Sequence, residues 1–228
     1  MAYRTLLFDI DDTLLNFQAA EKQALESLFK KLKLPLTSQT YDFYHDENLA
    51  LWQQFELGKI SKSKLLVKRF TTLFDHLGIS GIDGQKMEEL YRDYLGEGHQ
   101  PMPQAPEVLS DLCQSHDLYV VTNGVAKTQQ RRLSEAHFDH YFKDVFISEL
   151  VGAQKPAPEF FQRVTADIQP YEPTQTLVIG DSLTSDIKGA ASFGLDSVWY
   201  NPNHAANQTK IKPTYEIDQL DALETIVA

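Results

Sequence analysis

Asp9-Ile10-Asp11-Asp12-Thr13-Leu14 stands directly after Tyr3-Arg4-Thr5-Leu6-Leu7-Phe8, a run that reads as a short buried strand. Carboxylates two residues apart repel each other, and the apolar strand behind them offers no counter-charge. Strand alternation carried through the pair sends Asp9 and Asp11 to one side. A chain tolerates that arrangement where a divalent cation or a proton-transfer task compensates. Taken alone, an acidic turn closing a strand reads equally well, so the remaining strand ends must decide.

Downstream of this cluster the pattern is helical to about residue 98. Phe17, Ala20, Ala24, Leu25, Leu28, Phe29 and Leu32 recur at helical spacing, with Pro35 beyond the end. Leu65, Leu66, Phe70, Leu73, Phe74 and Leu77 form a second stripe closed by Gly78, and Met87, Leu90, Tyr91 and Tyr94 a third. Pro101, Pro103 and Pro106 then form a stiff connector, after which strands and helices alternate. Strands are expected at Leu118–Thr122, Val145–Ile147, Thr176–Ile179 and Ser197–Tyr200. Helices are expected over 106–115, 126–136, 158–168 and 185–193. Pro213 to Ile217 and Leu220 to Ile226 read as a last strand and helix covering the sheet edge. This alternation predicts an α/β fold with a doubly wound parallel sheet. The first strand joins that sheet, so residues 1–16 and 99–228 form one domain and residues 17–98 an all-helical insertion.

Ligands of open parallel sheets bind outside the carboxyl ends of the strands. Polar residues follow each of these ends. Asp9 and Asp11 come after the first strand, and Thr122, Asn123 and Gly124 after the second. Lys155-Pro156 lies past the third, and Gly180, Asp181, Ser182 and Asp186 past the fourth. Each has an ordinary alternative: turn chemistry, one of 21 mostly solvated Lys and Arg side chains, or a helix N-cap. Their joint occurrence in one alternating domain favours a site.

With these residues in place the chain resembles the haloacid dehalogenase superfamily. Its four motifs match Asp9-Ile10-Asp11-Asp12-Thr13, Thr122, Lys155 and Gly180-Asp181-Ser182-Leu183-Thr184-Ser185-Asp186. The resemblance implies a Rossmann-like core with the first strand central, and a type 1 cap at 17–98. It implies Asp9 as nucleophile forming an aspartyl phosphate, and Asp11 as general acid and base whose backbone carbonyl also binds Mg²⁺. Thr122 and the Asn123 backbone N–H would hold the phosphoryl group, and Lys155 would stabilise its charge. Asp9 and Asp181 would ligate Mg²⁺, with Asp186 holding a metal-bound water or orienting Lys155. Many family members carry Gly in place of Asp12. The expectation here is a backbone that needs no glycine-only conformation, with Asp12 facing the cap or solvent and no catalytic role. Hinges are expected near Phe17 and the 96–103 connector.

The second acid, Asp11, separates this chain from dehalogenases, since halide leaves without a proton. An EF-hand reading fails at Leu14 and Ala20, and Gly189 and Gly194 lack the Lys-Ser/Thr of a P-loop. No Gly-x-Ser-x-Gly occurs. A formal charge of −11 argues against nonspecific nucleic-acid binding, which needs a basic footprint. The single cysteine, Cys113, excludes an intrachain disulfide and a Cys-rich zinc site, and reads as core packing. No basic-then-apolar start and no apolar run of about 18 residues occurs, which leads to the expectation of a cytoplasmic protein without membrane association.

Substrate choice falls to the cap. Asn48 to Ile60, Arg69-Phe70 and Leu77-Gly78-Ile79 resemble bacterial nucleotidases that favour pyrimidine and noncanonical nucleoside monophosphates. Trp52 and Phe55, three apart, either stack on a base or pack the cap interior. The implied activity is a Mg²⁺-dependent 5′-nucleotidase on small phosphorylated metabolites. A sugar-phosphate or other small-metabolite phosphatase, a phosphomutase, and a phosphate-binding module without turnover are the alternatives. The sequence leaves the oligomeric state open.

Overall fold

The computed structural model describes residues 3–228. Strand β1 (Thr5–Phe8) is buried throughout. Four helices follow: α1 (Phe17–Leu32), α2 (Ser38–Glu56), α3 (Lys62–His76) and α4 (Gly84–Leu95). The alternating part then runs α5 (Ala105–Leu112), β2 (Asp117–Thr122), α6 (Ala126–Glu135), β3 (Asp144–Ile147), α7 (Ser148–Val151) and α8 (Pro158–Ala166). It ends with β4 (Thr176–Gly180), α9 (Lys188–Phe193), β5 (Asp196–Tyr200), β6 (Tyr215–Ile217) and α10 (Ala222–Val227). The chain divides into two compact units, Gln18–Gly98 and the remainder.

The sheet has six strands in the order β3-β2-β1-β4-β5-β6, every pair parallel. β1 lies between β2 and β4, which is where the winding changes direction. Alternation along the strands sorts the core into two faces. Leu6 and Phe8 join Val120, Ile179 and Val198 beneath Val108, Leu109, Leu223 and Val227. Leu7 turns to the other face with Val121 and Val178, beneath Phe160, Phe161 and Val164. A strand covered on both sides has no solvated row, which is why it reads as an unbroken apolar run. The C-terminal segment supplies the sixth strand itself, and α10 packs into the first of these faces.

The helical unit has its own apolar interior, including Leu25, Leu28, Tyr44, Phe70, Leu73 and Tyr91. A polar chain crosses that interior and takes one or more members from each helix. Arg69 on α3 donates to Glu88 on α4 at 2.5 and 3.0 Å and to the Asn48 side-chain oxygen on α2 at 3.2 Å. Asn48 in turn donates to Glu21 on α1 at 2.8 Å, and His45 Nδ1 lies 2.6 Å from the same carboxylate. Breaking one link leaves a buried charge without its partner, so the network selects one arrangement of the four helices. Phe55 is 4% exposed, with the half-buried Trp52 ring edge-on against it and the Lys62 ammonium 5.6 Å from its centroid.

Several boundaries differ from the sequence expectation. The helix expected from Pro106 to Ser115 ends at Leu112, and the one expected to reach Ile168 ends at Ala166. A short helix, α7, separates β3 from Lys155. The helix expected from Ser185 begins instead as a wide turn at Leu183, in which Ile187 N–H bonds back to Ser182 at 3.2 Å.

Asp12 occupies a backbone conformation that glycine favours but does not monopolise. Its φ is +55°, in the left-handed region where glycine sits without strain, so the backbone there does favour glycine. Asp12 is tolerated because its carboxylate does local work. Oδ1 accepts the Phe17 backbone N–H at 2.8 Å and so caps the first residue of α1. Removing the side chain by Asp12→Ala should cost about 2 kcal/mol, the sum of a lost cap and a strained left-handed residue. Asp12→Asn should retain most of the stability, and urea unfolding of both variants measures this. An unchanged midpoint for Asp12→Ala would contradict the capping role.

Candidate active site

The site grows from the carboxyl ends of β1, β2 and β4. Pairing continues one residue past β1, where Asp9 N–H bonds Ile179 O at 2.9 Å. That bond fixes the Asp9 backbone beside β4. Asp9 is 7% exposed, so its carboxylate needs a counter-charge. Lys155 supplies it. Its Nζ lies 2.6 Å from Asp9 Oδ1, 2.6 Å from Asp186 Oδ1 and 2.7 Å from Val121 O. An ammonium has three protons, and these three acceptors take them all. Lys155 therefore acts on an incoming anion through its field, while its hydrogen bonds hold the protein.

Asn123 positions this lysine. Its side-chain amide donates to Lys155 O at 2.9 Å and its side-chain oxygen accepts Lys155 N–H at 3.0 Å. The end of β2 thus grips the Lys155 loop in the manner of a strand partner. Asp186 is set by the wide turn after β4: its N–H bonds Ser182 O at 3.0 Å, and its Oδ2 accepts Ser182 N–H at 3.1 Å. Gly180 leaves room for it, since a Cβ there would stand 2.2 Å from Asp186 Oδ2. Asp181 is held by Trp199 Nε1 on its carbonyl at 2.8 Å and by the Thr13 hydroxyl on Oδ1 at 3.4 Å.

Asp9, Asp181 and Asp186 bring carboxylate oxygens within 4.8 Å of one another. Lys155 contacts two of the three, Asp9 and Asp186, so with all three ionised one ammonium would leave two negative charges uncompensated. Burial pushes the Asp9 carboxyl up to about 8; Lys155 pulls it down, and Asp186 and Asp11 add to the rise. Burial likewise pushes Asp181 well above the carboxylate range, helped by Asp9, Asp186 and Asp12. Burial alone would lower the Lys155 ammonium, but Asp186 and Asp9 outweigh it and hold it above the ordinary lysine value. An all-oxygen donor set with excess negative charge suits a hard divalent cation such as Mg²⁺.

Asp11 stands apart from this cluster. Arg132 Nη1 donates to its Oδ1 and Gln129 Nε2 to its Oδ2 at 2.7 Å. Gln129 also donates to Thr122 Oγ1 at 3.1 Å, and Gly124 N–H reaches the same oxygen at 3.0 Å. Both contacts fill acceptor positions, so the Thr122 hydroxyl keeps its own proton to donate. The sequence reading did not single out Gln129 or Arg132. The available signal was the polarity of Ala126–Glu135, whose only large apolar residue is Leu133. A helix covering a sheet with that composition must bury polar side chains, and Thr128, Gln129 and Arg132 are buried. Trp52 and Phe55 belong to the helical unit.

A family model described as haloacid dehalogenase-like hydrolase matches residues 3–194. Bacillus subtilis YfnB, described as a HAD-hydrolase, is 46% identical over 99% of this chain and 95% of its own. Its crystal structure, bound to magnesium and described as revealing interdomain movement, matches with a TM-score of 0.95 over 100% of this chain and 99% of that one. The pyrimidine 5′-nucleotidase PynA of Streptococcus pneumoniae is 42% identical over 98% of this chain and 96% of its own. The pyrimidine 5′-nucleotidase YjjG of Escherichia coli is 27% identical over 100% and 99%. No helix among the described residues is long and apolar enough to cross a membrane. With a model match over residues 3–194 and relatives similar along their whole length, the chain belongs to the haloacid dehalogenase-like hydrolase family.

Proposed function

We propose that the chain is a Mg²⁺-dependent phosphomonoesterase whose preferred substrates are pyrimidine and noncanonical nucleoside 5′-monophosphates. The observation that carries this reading is the buried Asp9–Lys155–Asp186 contact beside Asp181, with the Thr122 hydroxyl and the Asp11 carboxyl at neighbouring strand ends. Asp9, Asp181 and Asp186 would hold the cation, directly or through water, together with the Asp11 carbonyl. Bound there, Mg²⁺ supplies the positive charge that the three carboxylates lack and that a phosphate dianion requires.

The residues divide the reaction as follows. An Asp9 oxygen attacks phosphorus, and the bond to the ester oxygen breaks. The departing alkoxide takes a proton from Asp11, which leaves Asp11 ionised. Asp11 then removes a proton from water, and the resulting hydroxide displaces Asp9 and releases inorganic phosphate. Thr122 donates to a phosphoryl oxygen, and the Lys155 field favours charge building on the same group. Asn123 acts through Lys155 by fixing its loop.

Nucleotide preference is supported by two relatives named as pyrimidine 5′-nucleotidases. In the helical unit we assign base selection to Trp52, with Phe55 buttressing its ring. The assay is phosphate release with Mg²⁺ from nucleotides, sugar phosphates and p-nitrophenyl phosphate. Nucleoside monophosphates should lead, and EDTA should silence all release. Strong sugar-phosphate turnover beside a flat nucleotide profile would contradict the substrate assignment. Asp9→Asn, matched in volume, should fold normally and lose at least about a thousandfold in kcat.

Gly180→Ala provides an independent check on the metal site. The added methyl displaces Asp186, so Mg²⁺ affinity measured by calorimetry should weaken at least about tenfold with the fold retained. Equal affinity in the two proteins would remove Asp186 from the site.

A further inference from the structure

We infer that Arg132 and Gln129 are positioning residues that set the Asp11 carboxyl for proton transfer. The inference deepens the proposed phosphatase reading and rests on it. Adjacent arginines on α6 have opposite fates. Arg131 stays at the surface and pairs with Glu135 at 2.7 Å, whereas Arg132 has no exposed surface. Burying a guanidinium is costly, and its position is explained by what it touches. Nη1 contacts Asp11 Oδ1 and also donates to Gln129 Oε1 at 3.0 Å. That second bond turns the Gln129 amide so that its nitrogen faces Asp11 Oδ2 and Thr122 Oγ1.

Two residues one helical turn apart thus fix both oxygens of one carboxyl group, and therefore its plane and rotamer. Each oxygen keeps a second lone-pair direction for the transferable proton. Gly124 makes the approach of Gln129 feasible, because a Cβ at 124 would lie 2.5 Å from Gln129 Nε2. The guanidinium carbon also lies 5.9 Å from the ring centroid of Phe17, the residue that opens α1. The network therefore ties the proton-transferring group to the phosphoryl-binding hydroxyl and to the first residue of α1.

The test compares leaving groups. kcat/KM reports steps through phosphorylation of Asp9. A nucleoside alkoxide needs a proton to leave and p-nitrophenolate does not. Arg132→Met, Arg132→Lys and Gln129→Met are assayed on uridine 5′-monophosphate and p-nitrophenyl phosphate, with circular dichroism as the fold control. Arg132→Met should lower kcat/KM for the nucleotide about 100-fold and for p-nitrophenyl phosphate less than about tenfold. Arg132→Lys should recover part of the difference. Gln129→Met, neutral and close in size, should show the same selectivity at about tenfold, and it decides the matter if Arg132→Met fails to fold. Equal losses on the two substrates, or retained nucleotide turnover, would overturn the positioning role alone. A wild-type chain inert toward both substrates would overturn the phosphatase reading and this inference with it.

Discussion

The contact on which the site depends is the buried ammonium of Lys155 among Asp9, Asp186 and the Val121 carbonyl. It joins the carboxyl ends of β1 and β2 to the turn after β4. Placing two carboxylates in that interior is affordable only with such a partner, and removing one member of a buried ionic group typically costs about 3–5 kcal/mol. Neighbouring structure serves to keep the contact in register. The β1–β4 pairing carries through Asp9, Asn123 clamps the Lys155 backbone, and the wide turn from Ser182 swings Asp186 inward. Wide turns of this kind are rare and concentrate at functional sites.

The same contact leaves the site short of positive charge. Lys155 neutralises one of three carboxylates, and every proton it carries is committed to protein acceptors. A phosphate dianion meeting the unaided cluster would be repelled. Burial first, and then the neighbouring carboxylates, push the Asp9 and Asp181 carboxyls above their ordinary range. In the proposed reaction a bound cation would favour the ionised, nucleophilic form of Asp9, a gain for function rather than for stability. Active sites commonly hold such strain at the expense of the fold around them.

Much of this was legible in the chain because chemistry and topology coincide at strand ends. The alternating pattern placed β1 in the later sheet, and Val/Ile-rich apolar runs identified β2, β3, β4 and β5. Asp9, Lys155, Asp181 and Asp186 follow three of the strands in reading order, and the structure brings them together. What escaped notice depends on contacts between residues distant in sequence. Arg132 and Gln129 look like the polar surface of α6 until Asp11 is placed beside them. Asn48 and Arg69 stood out only as part of a resemblance, and their burial and pairing show once Glu21 and Glu88 face them. The left-handed backbone at Asp12 and its cap on Phe17 were not legible, because such a backbone is invisible when the residue is not glycine, although Asp tolerates it better than most. The boundary errors at α5, α8 and α9 reflect frayed or widened terminal turns, which side-chain periodicity does not report.

The central claim is that phosphorus is bonded in turn to Asp9 and then to water. Stereochemistry measures this most directly, through hydrolysis of a nucleoside monophosphate made chiral at phosphorus with oxygen isotopes. Two in-line displacements, each inverting, predict net retention of configuration in the inorganic phosphate or in a trapped phosphoryl acceptor. Net inversion would mean that water attacks the substrate in one step and that Asp9 never carries the phosphoryl group.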